Sequence, residues 1–434
     1  MRRSALIVRF LLAAAPAAAQ EPIRLTLTDA LERARVGHPA VARSKATRLS
    51  READATGALA AYLPRVSAEW SFARTDDPVA VFGSKLRQGR FAAADLALDA
   101  LNRPAPVSNV GVGVLIEQPL VSLEGWSGRR AAVAAADAGR FAEARALQAV
   151  EFDALAGYFG ATLAAARVGV TDTALTAANR ILAQVRAMRR EGVVTGIDEQ
   201  LVLARVSELE AQRAAAAADR LVAEDRLLLS LGEKPGQLVV LLDSLAPDLD
   251  GGGSGSRLDL EALRHGALAA GANVDRVRAQ RFPSLAAFGS LVWNRHDLGV
   301  LGGPRHWTAG LAVRWTPFRG LEDEGQIRRA RAERDLAQQE LAAAERSASA
   351  EVRAAEARRE AALAGVAAAD RALDYANQAA QVAAARYTGG VATISELLAV
   401  RAAEAAARLA RLDALYQNRV SAAALRLARG SDPR

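Results

Sequence analysis

The chain contains no cysteine, which removes disulfides, thiolate metal sites, a cysteine nucleophile and a lipid-carrying N-terminal cysteine. Aromatic residues make up only 5% of its 434 positions, so its 51% hydrophobic content rests largely on alanine. Ala-rich helices pack close and thin, as in coiled coils, more readily than they build a thick core. No stretch of the mature chain reaches the ~18 to 20 uncharged apolar residues that a membrane-spanning helix needs. A basic block is missing too. The net charge is +7, but Arg and Glu are interspersed along the helical stretches, which describes a solvated helix face and argues against a nucleic-acid partner. No catalytic set appears: His38, His265, His296 and His306 are scattered, and the glycine run that opens with Gly251-Gly-Gly-Ser-Gly lacks the Lys and the following helix of a phosphate loop. The expectation is a protein that is not an enzyme and carries no metal or cofactor.

What is present begins with an address. Arg2-Arg3, a mostly apolar run from Ala5 to Ala15 and Pro16-Ala-Ala-Ala19-Gln20 fit a secretory signal peptide over residues 1–19. The mature chain then reads as one unit written twice. Met188-Arg-Arg-Glu-Gly-Val-Val-Thr-Gly-Ile-Asp-Glu-Gln-Leu201 returns as Ala385-Arg-Tyr-Thr-Gly-Gly-Val-Ala-Thr-Ile-Ser-Glu-Leu-Leu398. Aligned on Gly192 with Gly389, Ile197 with Ile394 and Glu199 with Glu396, the copies keep a constant spacing of 197 residues. The first repeat is expected over 20–243 with its hairpin tip at 189–197, and the second over 257–434 with its tip at 386–394. Between them, residues 244–256, rich in glycine and serine, read as a flexible linker.

Each repeat has the same order of parts. Leu25-Thr-Leu-Thr-Asp-Ala-Leu opens the first helix, with Thr28 as the expected N-cap, and Pro39 starts a second helix that runs to about Ala61. From Pro64 the period changes to two: Val66, Ala68, Trp70 and Phe72 alternate with Arg65, Ser67, Glu69 and Ser71. Strands are expected over about 64–74 and 108–118, then 284–294 and 307–317, with Trp70, Trp293, Trp307 and Trp315 near their ends. The polar excursion from Asp76 to Pro106 is expected to hold one short helix around Ala92 to Leu101. Proline-free helical runs follow each strand pair, about Gly125 to Arg190 and Glu322 to Tyr387, each reaching roughly 100 Å at ~1.5 Å per residue. Past each tip a helix returns, with a heptad seam at Leu398, Ala402, Ala405, Leu409, Leu412 and Tyr416 in the second copy. On pattern alone the four strands fit a membrane barrel or a soluble sheet packed on helices equally well.

This order of parts resembles the TolC-type outer-membrane efflux protein family over essentially the whole mature chain. The resemblance is carried by the opening segment with His38-Pro39, by Leu63-Pro64 and Phe282-Pro283 before the strands, by Gln118-Pro119-Leu120 and Thr316-Pro317-Phe318 after them, and by the paired glycine tips. It implies a mainly α chain with a membrane β-barrel. Three chains would each give four strands to one twelve-stranded barrel in outer-membrane lipid, continued by a long α-helical coiled-coil tunnel through the periplasm. The implied partners are two further copies in a homotrimer, a periplasmic adaptor protein and an inner-membrane pump of RND or ABC type. The implied function is passive export of small molecules such as drugs, metabolites or metal ions, with type I protein secretion as the alternative duct and a soluble periplasmic coiled-coil protein as the alternative from another class.

The resemblance also suggests site residues. In the family the tips carry a Val-Gly-Leu-like turn that meets the adaptor; the corresponding stretches here are Glu191-Gly192-Val193-Val194 and Thr388-Gly389-Gly390-Val391, a looser pattern. Gly192, Val193, Val194, Gly389, Gly390 and Val391 are thus the implied adaptor contacts, against the alternative of a turn that only closes a hairpin. Family members narrow their periplasmic entrance with acidic residues after the tip. Glu396 stands at such a position, with Glu199 as its partner by the Ile anchor or Asp198 by counting from Gly192. Rings of these carboxylates would raise one another's pKa and favour cations; alternatively they complement a helix dipole.

Overall fold

The computed structural model describes residues 22–250, 252–299 and 302–433; the expected signal peptide lies outside them. The elements run β1 (Ile23–Leu25), α1 (Leu27–Gly37), α2 (Pro39–Gly57), β2 (Arg65–Thr75), α3 (Pro78–Arg87), α4 (Leu98–Asn102), β3 (Val107–Val121), α5 (Leu123–Arg190), α6 (Gly196–Ser230), β4 (Val239–Leu241), α7 (Leu258–Ala279), β5 (Ser284–Arg295), β6 (Arg305–Arg314), α8 (Glu322–Thr388) and α9 (Ile394–Ala428). The two proline-free runs are indeed unbroken helices of 68 and 67 residues, and α6 and α9 are 35 residues each. The described residues fall into two compact units. A sheet unit comprises Arg43–Arg145 and Ser256–Ala350; a hairpin unit comprises the chain up to Ala42, Ala146–Gly255 and the chain from Glu351.

In the sheet unit the four strands pair antiparallel in the order β2-β3-β5-β6. Because successive side chains alternate faces, register alone decides which side is apolar. One row joins Trp70, Val112, Trp293 and Arg305, and the rows beside it join Ala68, Val114, Leu291 and Trp307, then Val66, Ile116, Gly289 and Ala309. Between those rows lie Ser67, Leu115, Ser290 and Thr308, and Glu69, Gly113, Val292 and His306. The first face is almost wholly apolar; the second is mostly polar or small, with Leu115, Phe288 and Val292 as its large apolar residues. Trp307, Leu311 and Val313 on the apolar face are 77%, 68% and 69% exposed. β2 and β6 stand at the two edges, each with a row of backbone groups that no strand of the described chain pairs.

Three sequence expectations change here. Trp70 is the central residue of β2 rather than near its end, because the strand runs on to Thr75 before Asp77 and Pro78 turn the chain. Those two residues start α3, a helix the reading of Asp76 to Pro106 omitted. Asp77 accepts from the Ala80 amide at 2.8 Å and Pro78 occupies the first turn. The helix expected around Ala92 to Leu101 is only the short α4 and a 3₁₀ turn over Ala93–Leu96. The excursion is folded: Lys85 pairs with Asp95 at 2.7 Å, and Phe82 meets Phe91 edge-on. The buried Gln88 amide donates to Ser108 O and Asn109 Oδ1.

The hairpin unit is built on a core of Leu25, Leu31, Val150, Leu155, Tyr158, Phe159, Leu227, Leu228 and Leu231. α1 is capped by Thr26 rather than Thr28, since Thr26 and Asp29 exchange the two bonds of a capping box. β1 pairs in parallel with β4, the short apolar run before the linker. Tyr158 locks this pair: its hydroxyl lies 3.0 Å from Leu25 O and 2.9 Å from Asp243 Oδ2, and accepts from the Asp243 amide at 3.1 Å. Burial pushes the phenol up to about 12, so its contribution to stability is full below about pH 10 and is lost as the pH rises towards about 12. Tyr158→Phe removes the partner of the Asp243 amide, while Leu25 O keeps the Leu242 amide at 3.0 Å; a thermal melt should register a loss of about 1 kcal/mol.

The linker is seated at its start. Asp248 Oδ2 meets Arg426 Nη2 at 2.9 Å, the Asp248 amide donates to Asn418 Oδ1 at 2.7 Å, and buried Arg359 donates to the carbonyls of Asp248 and Asn418. The Gly255 amide donates to Arg429 O at 3.1 Å.

Candidate gate and adaptor-docking tips

α5 ends because Gly192 takes φ +77°, a left-handed conformation that costs a residue with a Cβ. The Gly192 amide then donates to Arg189 O and the Val193 amide to Met188 O, which closes a Schellman turn. α8 ends in the same motif, with Gly390 at φ +75°, Gly390 N to Tyr387 O and Val391 N to Arg386 O. Gly389 still bonds helically to Ala385 O. The turn glycines are therefore Gly192 and Gly390, so the copies align at a spacing of 198 rather than 197. Thr195 and Thr393 are both N-caps, and Asp198 and Glu396 are the residues whose amides they bind. The repeated Gly-Val-x-Thr was the signal that fixes this register. Glu199 corresponds to Leu397.

The three acidic residues thus sit in different surroundings. Asp198 is spent on the capping box, accepting from the Thr195 amide and hydroxyl at 2.8 Å each. Glu199 is nine-tenths buried beside Val202 on α6, and its carboxylate accepts from Arg189 at 2.5 Å and Arg186 at 2.9 Å. Those hydrogen bonds, Arg189 first, hold its carboxyl below the ordinary range, the reverse of the shift expected for a ring of bare carboxylates. Glu396 is more exposed and pairs with Arg386 at 3.3 Å. Further along α9, buried Glu404 accepts from Arg401 at 2.8 Å and Arg408 at 2.5 Å. Glu199, Glu396 and Glu404 are thus matched by arginines of the same chain.

One apolar cluster holds both tips. Leu182 and Val185 of α5, Val202 and Leu209 of α6, Tyr387 of α8, and Ile394 and Leu397 of α9 pack together. The Tyr387 hydroxyl is buried without a hydrogen-bond partner, and burial together with the charge of Asp198 raises its pKa. Sequence reading passed over this tyrosine, although an aromatic residue three positions before a turn glycine in an Ala-rich helix is a signal. Outside the cluster, Val193, Ile197 and Val391 are 63%, 72% and 70% exposed. The expected α9 seam from Leu398 to Tyr416 is only half-buried; the most buried positions, such as Leu397, Glu404, Leu415 and Asn418, fall beside it.

Residues 254–431 match the family of outer membrane efflux proteins. That match spans the second repeat, which is thus similar to the outer membrane efflux proteins. Solved structures carry the same fold across both repeats. A membrane protein from Pseudomonas aeruginosa superposes with a TM-score of 0.78 at 22% identity, over 93% of this chain and 90% of that one. The outer membrane protein VceC from Vibrio cholerae gives 0.76 at 18%, over 94% and 97%. The open-state MtrE outer membrane channel from Neisseria gonorrhoeae gives 0.77 at 18%, over 94% and 89%. No curated protein sequence matches the chain.

Proposed function

We propose that three copies of this chain form a passive outer-membrane duct that exports small molecules delivered by an inner-membrane pump through a periplasmic adaptor. The observation that carries this reading is the one-faced sheet. Four strands with one continuous apolar face and two open edges are unstable in water, and closure with copies of themselves in lipid satisfies both face and edges. The half-buried apolar seam of α9 supports the same assembly, since it leaves a heptad stripe for another helix. The exposed Val193 and Val391, each beside a turn glycine, form with Gly192, Val194, Gly389 and Gly390 the surface offered to adaptor helices.

The gate in this reading is made of ion pairs. Glu199 with Arg186 and Arg189, and Glu396 with Arg386, hold the ends of each hairpin in one arrangement, and Asp198 fixes the start of α6. Opening exchanges these pairs for water as the tips move apart. Export energy comes from the pump, and the duct performs no chemistry.

Two measurements test the duct. Purified from membranes in detergent, the protein should have the mass of three chains once bound detergent is subtracted, and it should conduct ions in planar bilayers. A monomer that stays soluble without detergent would overturn the proposal.

A further inference from the structure

The polar face of the sheet carries a cleft that the export reading leaves without a role. Its volume is about 740 Å³, and it lies within the sheet unit where the strands meet the helices. One row of the sheet crosses it: Arg65, Glu117, Phe288 and Gly310 stand opposite one another on β2, β3, β5 and β6. Phe288 is out of place on a face of serine, glycine and charge. Gly310 is what admits it, because a Cβ there would lie 3.0 Å from the Phe288 ring. One step along, Leu115 extends the apolar wall.

The charges around this wall are unequally matched. Arg319 is held by Asp323 at 2.6 Å and by Gln280 at 3.3 Å. Glu124 is held by Gln280 at 2.7 Å and Arg276 at 3.4 Å. Arg65 faces Glu117 directly across the strands. Arg314 faces Ser284 and has no carboxylate opposite. The cleft therefore offers a flat aromatic and aliphatic wall with one uncompensated guanidinium near it.

We propose that this cleft binds amphipathic organic anions, with a planar apolar body on Phe288 and Leu115 and a carboxylate or sulfonate on Arg314. A guanidinium takes such a group through two parallel hydrogen bonds, and aromatic rings stack offset on one another. The volume is that of an ordinary small-molecule site. As a contact for exported cargo, the site rests on the duct reading, in which this face lines the lumen; as a binding site it stands on its own residues.

The test is equilibrium dialysis of naphthalene-2-sulfonate against the protein in lipid nanodiscs, with naphthyltrimethylammonium as the cationic counterpart. Phe288→Ala and Arg314→Gln should each weaken sulfonate binding about tenfold. Phe288→Leu, which keeps an apolar side chain, should fall between, and Glu117→Gln should strengthen binding. Equal binding by the wild type and all variants, or equal binding of the cation, would mean adsorption to lipid and would overturn the site. Bilayer current separates the two readings. Conduction with sulfonate binding indifferent to these substitutions removes the cleft and leaves the duct; variant-sensitive binding without conduction removes the duct and leaves the cleft.

Discussion

Gly232→Ala is expected to lower the stability of the hairpin unit by roughly 3 kcal/mol or more, the largest loss among the turn glycines. Gly232 follows α6 at φ +76°, and its missing Cβ would fall against the backbone of Gly37, whose own missing Cβ would press on Leu231 O. Two penalties combine: left-handed strain of about 1–2 kcal/mol and overpacking of about 1–3 kcal/mol against backbone that cannot rotate away. Gly192→Ala is the internal control. It has the same backbone conformation at φ +77° but nothing within 4 Å of a Cβ, so it should lose only the strain. Thermal melts of the two variants beside the wild type decide the matter, and equal losses would show that the approach of Gly37 to Gly232 is unimportant.

Breaking the arginine pairs at Glu199 should have the largest effect on conduction. Arg186→Gln with Arg189→Gln leaves a nearly buried carboxylate without a partner in the hairpin arrangement of the tips. The open-to-closed ratio in planar bilayers should rise roughly tenfold, and Glu199→Gln should shift it the same way. The pH dependence carries a sign. The pKa of Glu199 is depressed by Arg189 and Arg186, so the pairing is fully present above the ordinary carboxylate range and is lost only as the pH falls through the depressed value. Conductance should stay flat between about pH 8 and about pH 5 and rise only below about pH 4. A transition centred between about pH 5 and about pH 7, absent from Glu199→Gln, would instead mark bare carboxylates crowding one another and would discard the ion-pair gate.

Features set by long, regular patterns were legible in the sequence. Alternation over ten residues places β2, β3, β5 and β6 within a residue or two, except that β3 runs on to Val121 and β6 ends at Arg314, because register with partner strands, not local pattern, decides where pairing stops. The absence of proline allows α5 and α8 to run whole. Features set by a single residue or by distant partners were not. Thr26 and Thr28 are equally good caps by type, and only Asp29 reaching back to Thr26 separates them. Gly389 and Gly390 are adjacent and chemically identical, so which takes the left-handed conformation depends on where α8 stops. The side on which Phe288 falls depends on the pairing of β5 with β3 and β6. Glu199 was legible as an acid near the tip, yet its partners stand ten and thirteen positions earlier across a turn, where sequence order says nothing of direction. The parallel pair β1 and β4 joins segments too short and too far apart for periodicity to register.

The order β2-β3-β5-β6 has one consequence for assembly. The central pair, β3 with β5, joins the second strand of the first repeat to the first strand of the second repeat. In a ring of three copies, the contact between neighbours would bring β6, the second strand of the second repeat, beside β2, the first strand of the first. Both seams are then versions of one junction, and the ring approaches sixfold symmetry built from three chains. The β3–β5 register in a single chain is therefore the template for how two chains meet, with Val110 to Ile116 against Gly289 to Arg295 marking where β6 and β2 should align.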